Sequence, residues 1–348
     1  MMRALRYDAF GELPSLVELP IPEPGPGGVV VAVEATGLCR SDWHGWQGHD
    51  DEIRELPHVP GHEFAGVVHA VGAGVEKVAV GDRVVVPFVC GCGTCPVCRA
   101  GGSHVCPDQW QPGFSGPGSF AEHVAIPRAD ANVVHLPDEV GADVAAGLGC
   151  RFATAYRGVV DVARVREGER VVVLGCGGVG LAAVMVAVAQ GAEVVAVDVA
   201  PAALDLAAEA GAAHVVDASE QEPVDAVREL WPGGADVAVD ALGSRQTARD
   251  ATLSLRTRGR HLQIGLLPPA VVQDRATVPM HVVIARELKV LGSHGMPAVD
   301  YSRMFQDVAT GRLTPERLIS RTITLEEAPA ALAAMGTAAT PGVTIIRP

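Results

Sequence analysis

Apolar and polar positions follow two different textures along the chain. Up to about residue 150 the apolar residues come in short runs, at 29–33, Phe64–Val71 and Arg83–Val86, with Gly or Pro close behind each. Short runs bounded by turn formers predict β-strands, and many of them close together predict a barrel or sandwich. Residues 20–28 alternate Pro with other residues and end in Gly27-Gly28, a rigid turn region. No helical periodicity of note precedes residue 143.

From Gly168 the texture changes. Residues 171–174 form a fully apolar run, then come a Gly-rich turn, a helical pattern at 181–190 and a second strand pattern at 193–197. Helical patterns at 202–210 and 224–230 alternate with strand patterns at 213–216 and 235–239. Strands alternating with helices of about ten residues predict βαβ units and a parallel sheet. After Gly292 the alternation stops: 297–310 and 325–335 read as helices and 343–346 as a closing strand. That tail is too short for a domain of its own, so it is expected to return to the first one. The expected division is 1–150 completed by 293–348, and 151–292.

Composition narrows the class. A chain of 348 residues, 48% hydrophobic, is about twice a typical domain and has ample apolar area to bury. Its formal charge of −14 repels phosphates, which argues against nucleic acid or an anionic membrane as partner. The N-terminus lacks the apolar core of a secretory signal, and the longest apolar stretch, near 181–189, is too short to span a membrane. The expectation is a soluble cytoplasmic protein. In that setting clustered cysteines point to metal or chemistry rather than disulfides.

Four stretches carry candidate chemistry. Cys39-Arg40-Ser41-Asp42-Trp43-His44 places a thiol, a cation, a hydroxyl, a carboxylate and an imidazole within six residues. A thiolate can ligate zinc, a hydroxyl beside it can pass a proton, and a histidine can carry that proton to water. Cys92, Cys95, Cys98 and Cys106 have the spacing C-x2-C-x2-C-x7-C, enough to close a tetrahedral Zn²⁺ site; a disulfide pair is the alternative, and Cys90 is left without a role. Gly175-Cys176-Gly177-Gly178-Val179-Gly180 follows an apolar strand and opens a helix, the G-x-G-x-x-G turn that lets a pyrophosphate approach backbone N–H groups. Asp198, eighteen positions past Gly180, ends the next strand, where a carboxylate accepts from the ribose 2′-OH and repels a 2′-phosphate, favouring NAD over NADP. Gly61-His62-Glu63 offers an imidazole that Asp42 could orient, and Cys150 sits at the change of texture as either ligand or buried thiol.

Taken in this order, the motifs closely resemble those of the zinc-containing medium-chain alcohol dehydrogenases, over nearly the whole chain. The resemblance implies an α/β protein with a GroES-like β-barrel catalytic domain and a Rossmann doubly wound parallel sheet, the active site lying in the cleft. It implies Cys39, His62 and Cys150 as ligands of a catalytic zinc with Glu63 close behind, and Cys92, Cys95, Cys98 and Cys106 around a structural zinc, two ions per chain. It implies Ser41 beside the substrate oxygen and His44 as the outer end of a proton relay. It implies Arg40 and Ile264, with Gly175, Gly177, Gly178, Val179, Gly180 and Asp198, as contacts of NAD. Relatives of this length are commonly homotetramers, sometimes homodimers.

Two positions depart from the pattern. Many relatives carry a basic residue five positions after the ribose-binding acid, where this chain has Ala203, and residues 199–204 contain no Lys or Arg. The closing strand has no basic residue before Arg347. Neither departure favours NADP.

The expected reaction is reversible oxidation of a primary alcohol to the aldehyde. Seven aromatic residues between positions 43 and 120 suggest an apolar pocket for a medium-chain or aromatic substrate, or alternatively a packed barrel core. A polyol, secondary alcohol or threonine-type substrate is the runner-up, weakened because polyol-oxidising relatives usually have glutamate where Cys150 stands. A zinc- and nucleotide-binding protein without turnover would not need Ser41 and His44, and zinc-free reductases of the superfamily lack the ligands and the cysteine lobe.

Overall fold

A computed structural model describes residues 1–267, 277–336 and 341–348. The chain divides into two compact units, Met1–Ala153 with Gly295–Gly311 and Ile319–Pro348, and Thr154–His294 with Arg312–Leu318. Of residues 293–348, all fall in the first unit except Ser293, His294 and the seven residues 312–318, which belong with the second. Among the described residues no helix is long and apolar enough to cross a membrane.

The first unit is built on one long strand, Val29–Leu38, which pairs along its length with Phe64–Val71. Its other edge is shared: His123–Ile126 pairs with residues 29–32 and Val343–Arg347 with residues 36–38. Arg83–Val86, Val134–His135 and Ile319–Thr324 complete a sheet of seven strands among the described residues. Alternate residues of these strands, Val29, Val31 and Val33, Phe64 and Val68, Val84 and Val86, Val124 and Ile126, enter one core. That period of two is the pleat itself. Each Val or Phe so buried contributes roughly 1.5–3 kcal/mol. A second core gathers Leu5, Tyr7, Leu38, Trp46, Phe120 and the tail residues Leu325, Leu332 and Ile346.

Arg40–Trp46 is a helix in a region without helical periodicity. Seven residues make two turns, too few to display a repeat. What starts the helix is Asp42, whose carboxylate reaches back to the Cys39 N–H at 2.9 Å.

Among the described residues of the second unit six strands run parallel in the order His214–Asp217, Glu193–Asp198, Arg170–Leu174, Ala235–Asp240, Leu255–Gln263, Lys289–Gly292. In chain order this is 3-2-1-4-5-6, so the sheet reverses direction beside Arg170–Leu174, and ligands bind at such a reversal. The inner strands Glu193–Asp198, Arg170–Leu174 and Ala235–Asp240 are nearly continuously apolar and buried, as strands are where helices cover both faces of a parallel sheet. Those helices are Gly178–Ala189, Pro201–Glu209, Pro223–Leu230 and Arg245–Ser254, two of them opening on a proline that fits the first helical position. Leu255–Gln263 lies outside the apolar texture of the other strands, because Arg256, Arg258 and Arg260 interrupt it with a polar period of two.

Candidate active site

One carboxylate organises the first cluster. Asp42 is buried, and besides the Cys39 N–H it accepts from His62 Nδ1–H at 2.8 Å and from the Gly61 N–H at 3.2 Å. Two segments twenty residues apart are thus tied to the same group. Gly61 must be glycine: its φ is +106°, and a Cβ there would lie 2.5 Å from the Phe120 ring. With Nδ1 engaged, His62 turns Nε2 inward, where it is buried with no hydrogen-bond partner. A lone buried ring nitrogen costs about 1–3 kcal/mol unless something takes its lone pair.

Cys150 arrives from a third segment. It lies in Leu148–Phe152, a π-helical turn, an arrangement that often marks functional sites. Such a turn loosens the helical ladder, and Glu63 takes up two of the N–H groups. Its Oε1 accepts from the N–H of Cys150 at 3.0 Å and of Arg151 at 2.8 Å. The Arg151 guanidinium closes on the same carboxylate, Nε at 2.9 Å and Nη2 at 2.5 Å from Oε2. From the tail, the buried Tyr301 hydroxyl donates to the Gly149 carbonyl at 2.9 Å.

The result is that ligand atoms of Cys39, His62, Glu63 and Cys150 all lie within 4.8 Å of one another. The electrostatics suit a cation. A hydrogen bond from the Cys150 thiol, then the charges of Arg151 and His62, hold the Cys39 thiol well below its usual range; the same bond pushes Cys150 up. Burial disfavours charge on His62, but Asp42 and the Cys39 sulfur outweigh it and raise the ring well above its ordinary pKa. Burial raises Glu63, and Arg151 offsets part of that. Two sulfurs and an unpartnered imidazole nitrogen are a zinc donor set, and three protein ligands leave a position free for substrate.

Ser41 Oγ sits 3.8 Å from the Cys39 sulfur. His44, one turn along the same helix, is half-buried, its Nδ1 3.2 Å from that of His49. Arg40 stacks its guanidinium 4.5 Å from the Trp43 ring centre and donates to the Met335 carbonyl. Phe114 and Phe88 flank His62, with ring centres 5.2 and 6.1 Å away.

The second cluster is local. Cys92 and Cys98 sulfurs are 3.9 Å apart and those of Cys95 and Cys106 3.8 Å. A disulfide would need about 2.05 Å, whereas four sulfurs at about 2.3 Å from a zinc stand about 3.8 Å from one another. Neighbouring backbone supplies the counter-dipoles: Cys95 N–H donates to Cys92 Sγ, Cys98 N–H to Cys95 Sγ and Cys92 N–H to Cys106 Sγ, at 3.3–3.4 Å. Hydrogen bonds from the Thr94 and Cys95 backbone bring the Cys92 thiol down to about 6, while burial pushes Cys98 up to about 12.

In the second unit the Gly-rich turn stands at the reversal of the sheet. A Cβ on Gly180 would lie 1.7 Å from the Gly175 carbonyl oxygen, so the helix can approach the strand only through glycine. Gly177 is the reverse case: a Cβ there would meet nothing within 4 Å, leaving open space at the N-terminus of Gly178–Ala189. An anion fits there, against free N–H groups. Gly178 and Val179 form that helix's first turn. Asp198 fastens the turn, accepting from the N–H of Cys176 at 2.6 Å and those of Val199 and Ala200 at 2.8 and 2.9 Å. Ile264, just past Leu255–Gln263, is buried with its N–H on the Asp240 carbonyl.

Residues 25–138 match the family model of the alcohol dehydrogenase GroES-like domain, and 178–310 that of the zinc-binding dehydrogenases. An NAD-dependent alcohol dehydrogenase of Sulfurisphaera tokodaii is 32% identical over 337 residues, 94% of each chain. The chain belongs to the zinc-binding alcohol dehydrogenase family. Other members of this family similar to it include an L-threonine 3-dehydrogenase of Sinorhizobium fredii, 35% identical over 80% of this chain and 79% of the relative. A solved zinc-binding dehydrogenase of Sinorhizobium meliloti 1021 bound to NADP superposes with a TM-score of 0.90 at 33% identity, covering 100% of this chain and 99% of the other.

Reasoning from sequence gave Arg151, Tyr301 and His49 no role. Arg151 did leave a signal, as the lone cation in an apolar stretch from Ala145 to Tyr156. A cation so placed needs a buried acid, and Glu63 is the lone acid of its own stretch. Tyr301 left none.

Proposed function

We propose that this alcohol dehydrogenase oxidises a primary, medium-chain or aromatic alcohol reversibly to the aldehyde, with hydride transfer to NAD. The observation that carries the reading is the convergence of Cys39, His62 and Cys150, the buried and partnerless His62 Nε2 among them, with the Ser41 hydroxyl alongside. Zinc bound there lowers the pKa of an alcohol, and a bound nicotinamide accepts hydride.

The chain's own groups do the rest. Cys39 and Cys150 as thiolates and His62 through Nε2 hold the metal, while Asp42 fixes the imidazole so that Nε2 is the free nitrogen. Glu63 is held by Arg151 and by two backbone N–H groups, so it steadies the Cys150 turn. Ser41 accepts the hydroxyl proton at Oγ and His44 passes it outward. Cys92, Cys95, Cys98 and Cys106 hold a second, closed zinc that shapes the lobe. The N-terminus of Gly178–Ala189 receives the pyrophosphate, and Asp198 the adenosine ribose. Arg40 and Ile264 are further cofactor contacts, and the subunits assemble as a homotetramer.

Two choices within this reading have specific support. The rings of Phe88 and Phe114 beside His62 favour an apolar substrate, against the threonine chemistry of one relative. Asp198, with Ala203 buried and no cation at 199–204, favours NAD, although the Sinorhizobium meliloti relative was solved with NADP.

Turnover on benzyl alcohol, hexanol, sorbitol and L-threonine, each with NAD and with NADP, tests both. The highest kcat/KM is expected for benzyl alcohol or hexanol with NAD. Preference for L-threonine overturns the substrate, and preference for NADP overturns the cofactor. No turnover on any of the four, with one zinc per chain, favours a binding protein.

A further inference from the structure

We propose that His49 is the outer member of the proton path, so that the relay has one member more, five residues beyond His44. The inference rests on the reading of Ser41 and His44 given above. Nδ1 of His44 and Nδ1 of His49 are 3.2 Å apart. Two neutral imidazoles can approach so closely through these nitrogens only if one carries the proton and the other the lone pair, so the pair shares one hydrogen. His44 is half-buried, whereas His49 is exposed. The shared proton therefore lies between an inner ring and one that faces water.

The contact is built rather than incidental. His49 N–H donates to the His44 carbonyl at 3.0 Å, closing the loop just after Arg40–Trp46. The Trp43 ring lies at the edge of both imidazoles, with centres 4.9 and 5.7 Å away, and restricts their rotation. The charged groups facing His44 are Arg40 on its own helix, Cys39 at the start of that helix, and His49 and Asp50 in the following loop. Burial, then Arg40 and His49, lower its pKa, so His44 sheds a proton readily.

The step balances as a hop. A proton reaching His44 makes it an imidazolium. Its Nδ1–H bond breaks as an Nδ1–H bond forms on His49, and His49 then releases its Nε2 proton to water. Both rings end neutral, and exchange with solvent restores the starting tautomers. For aldehyde reduction the same hop runs inward. His49 acts through His44 and does not touch the reacting atoms, so it is a positioning residue that also carries charge.

Two measurements on the zinc-loaded enzyme test this. The first is a ¹⁵N NMR titration of the His44 ring: His49→Gln removes a ring that, once it has taken the shared proton, opposes a positive charge on His44, so the His44 midpoint is expected to rise. The second is the rate of proton release to an indicator dye in weak buffer during a single turnover with NAD and benzyl alcohol, or L-threonine should that be the substrate. His49→Gln is expected to slow release roughly three- to tenfold, less than the hundredfold or more of a group acting on the reacting proton. Added imidazole buffer restores the rate, and His44→Gln/His49→Gln is no slower than His44→Gln. Wild-type release by His49→Gln with slowed release by His44→Gln overturns the role of His49 alone. Wild-type release by both overturns the relay itself. Slowing that imidazole does not restore, or an unmoved His44 midpoint, shows a merely structural contact.

Discussion

The two cysteine clusters of the first unit are built in opposite ways. The lobe draws all its sulfurs from residues 92–106, three of its four cysteines are partly exposed, and neighbouring backbone N–H groups satisfy its thiols. The other cluster gathers residues 39, 62 and 150, and buried charges hold it: Asp42 on one side, Glu63 with Arg151 on the other. Closing long loops costs entropy that short loops avoid. A local site can therefore depend on its metal for order, whereas a distributed site must be assembled by the fold before the metal arrives. The lobe should fail as structure and the distributed site as chemistry.

The largest expected effect is at the lobe. Structural zinc in small finger peptides binds with about 10–16 kcal/mol of apparent free energy, and the loss of one ligand forfeits a sizeable share. Cys95→Ala should release one zinc per chain and lower Tm more than Arg151→Met, Ser41→Ala or Cys90→Ala does. The fraction still folded should keep near-normal kcat. Unchanged melting with lost turnover would contradict a structural lobe.

Next comes the ion pair behind the distributed site. Arg151→Met strands a carboxylate that is fully buried, at an expected cost of about 3–5 kcal/mol in stability at neutral pH. The pH dependence has a definite sign. Burial raises Glu63 already, and without the Arg151 charge it rises further, so the folded state prefers the protonated acid. Stability of the variant should recover as pH falls through that raised value toward the unfolded glutamate's, about 4.3. Denaturant melts at pH 5.5 and 8 decide it, and equal deficits at both would show that Glu63 carries no proton.

How much of this contrast could be read from the chain follows the same division. The lobe and the turn Gly175–Gly180 are legible because spacing alone places their atoms: backbone between Cys92 and Cys98 folds onto its own sulfurs, and Gly180 meets Gly175 within one turn. Asp198 is legible as the end of the next strand. The distributed ligands become legible only through resemblance, since no local pattern connects Cys39 with Cys150. The helix Arg40–Trp46 is hidden because a carboxylate three residues in, not an apolar repeat, defines its start. Arg151 announces itself as a cation in apolar surroundings without naming its partner, and Tyr301 reaches Gly149 from 152 residues away, with no sequence mark at all.

Smaller in energy, though not in consequence, is Ser41→Ala. Loss of a group that takes the reacting proton should lower turnover about a hundredfold, equivalent to about 2.7 kcal/mol in the barrier. Zinc content and melting should stay as in the parent chain. His44→Gln should have a milder effect that grows toward low pH. Wild-type turnover by Ser41→Ala would remove it from the proton path.

The smallest effect sharpens the boundary between the clusters. Cys90 is the cysteine nearest the lobe in sequence that takes no part in its set of four. It is fully buried in the strand core, with backbone bonds of 2.8 Å to Trp110 in both directions and its sulfur 3.7 Å from the Pro87 carbonyl. Burial pushes its thiol up to about 12, so at neutral pH it stays protonated, a small apolar side chain rather than a thiolate ligand. Cys90→Ala should therefore cost only about 1 kcal/mol, the loss of one well-packed heavy atom. Zinc per chain and kcat should not move, in contrast to Cys95→Ala five residues on. Zinc release from Cys90→Ala comparable to that from Cys95→Ala would mean that the lobe extends back into the strand core, and the separation between the local site and the fold would no longer hold.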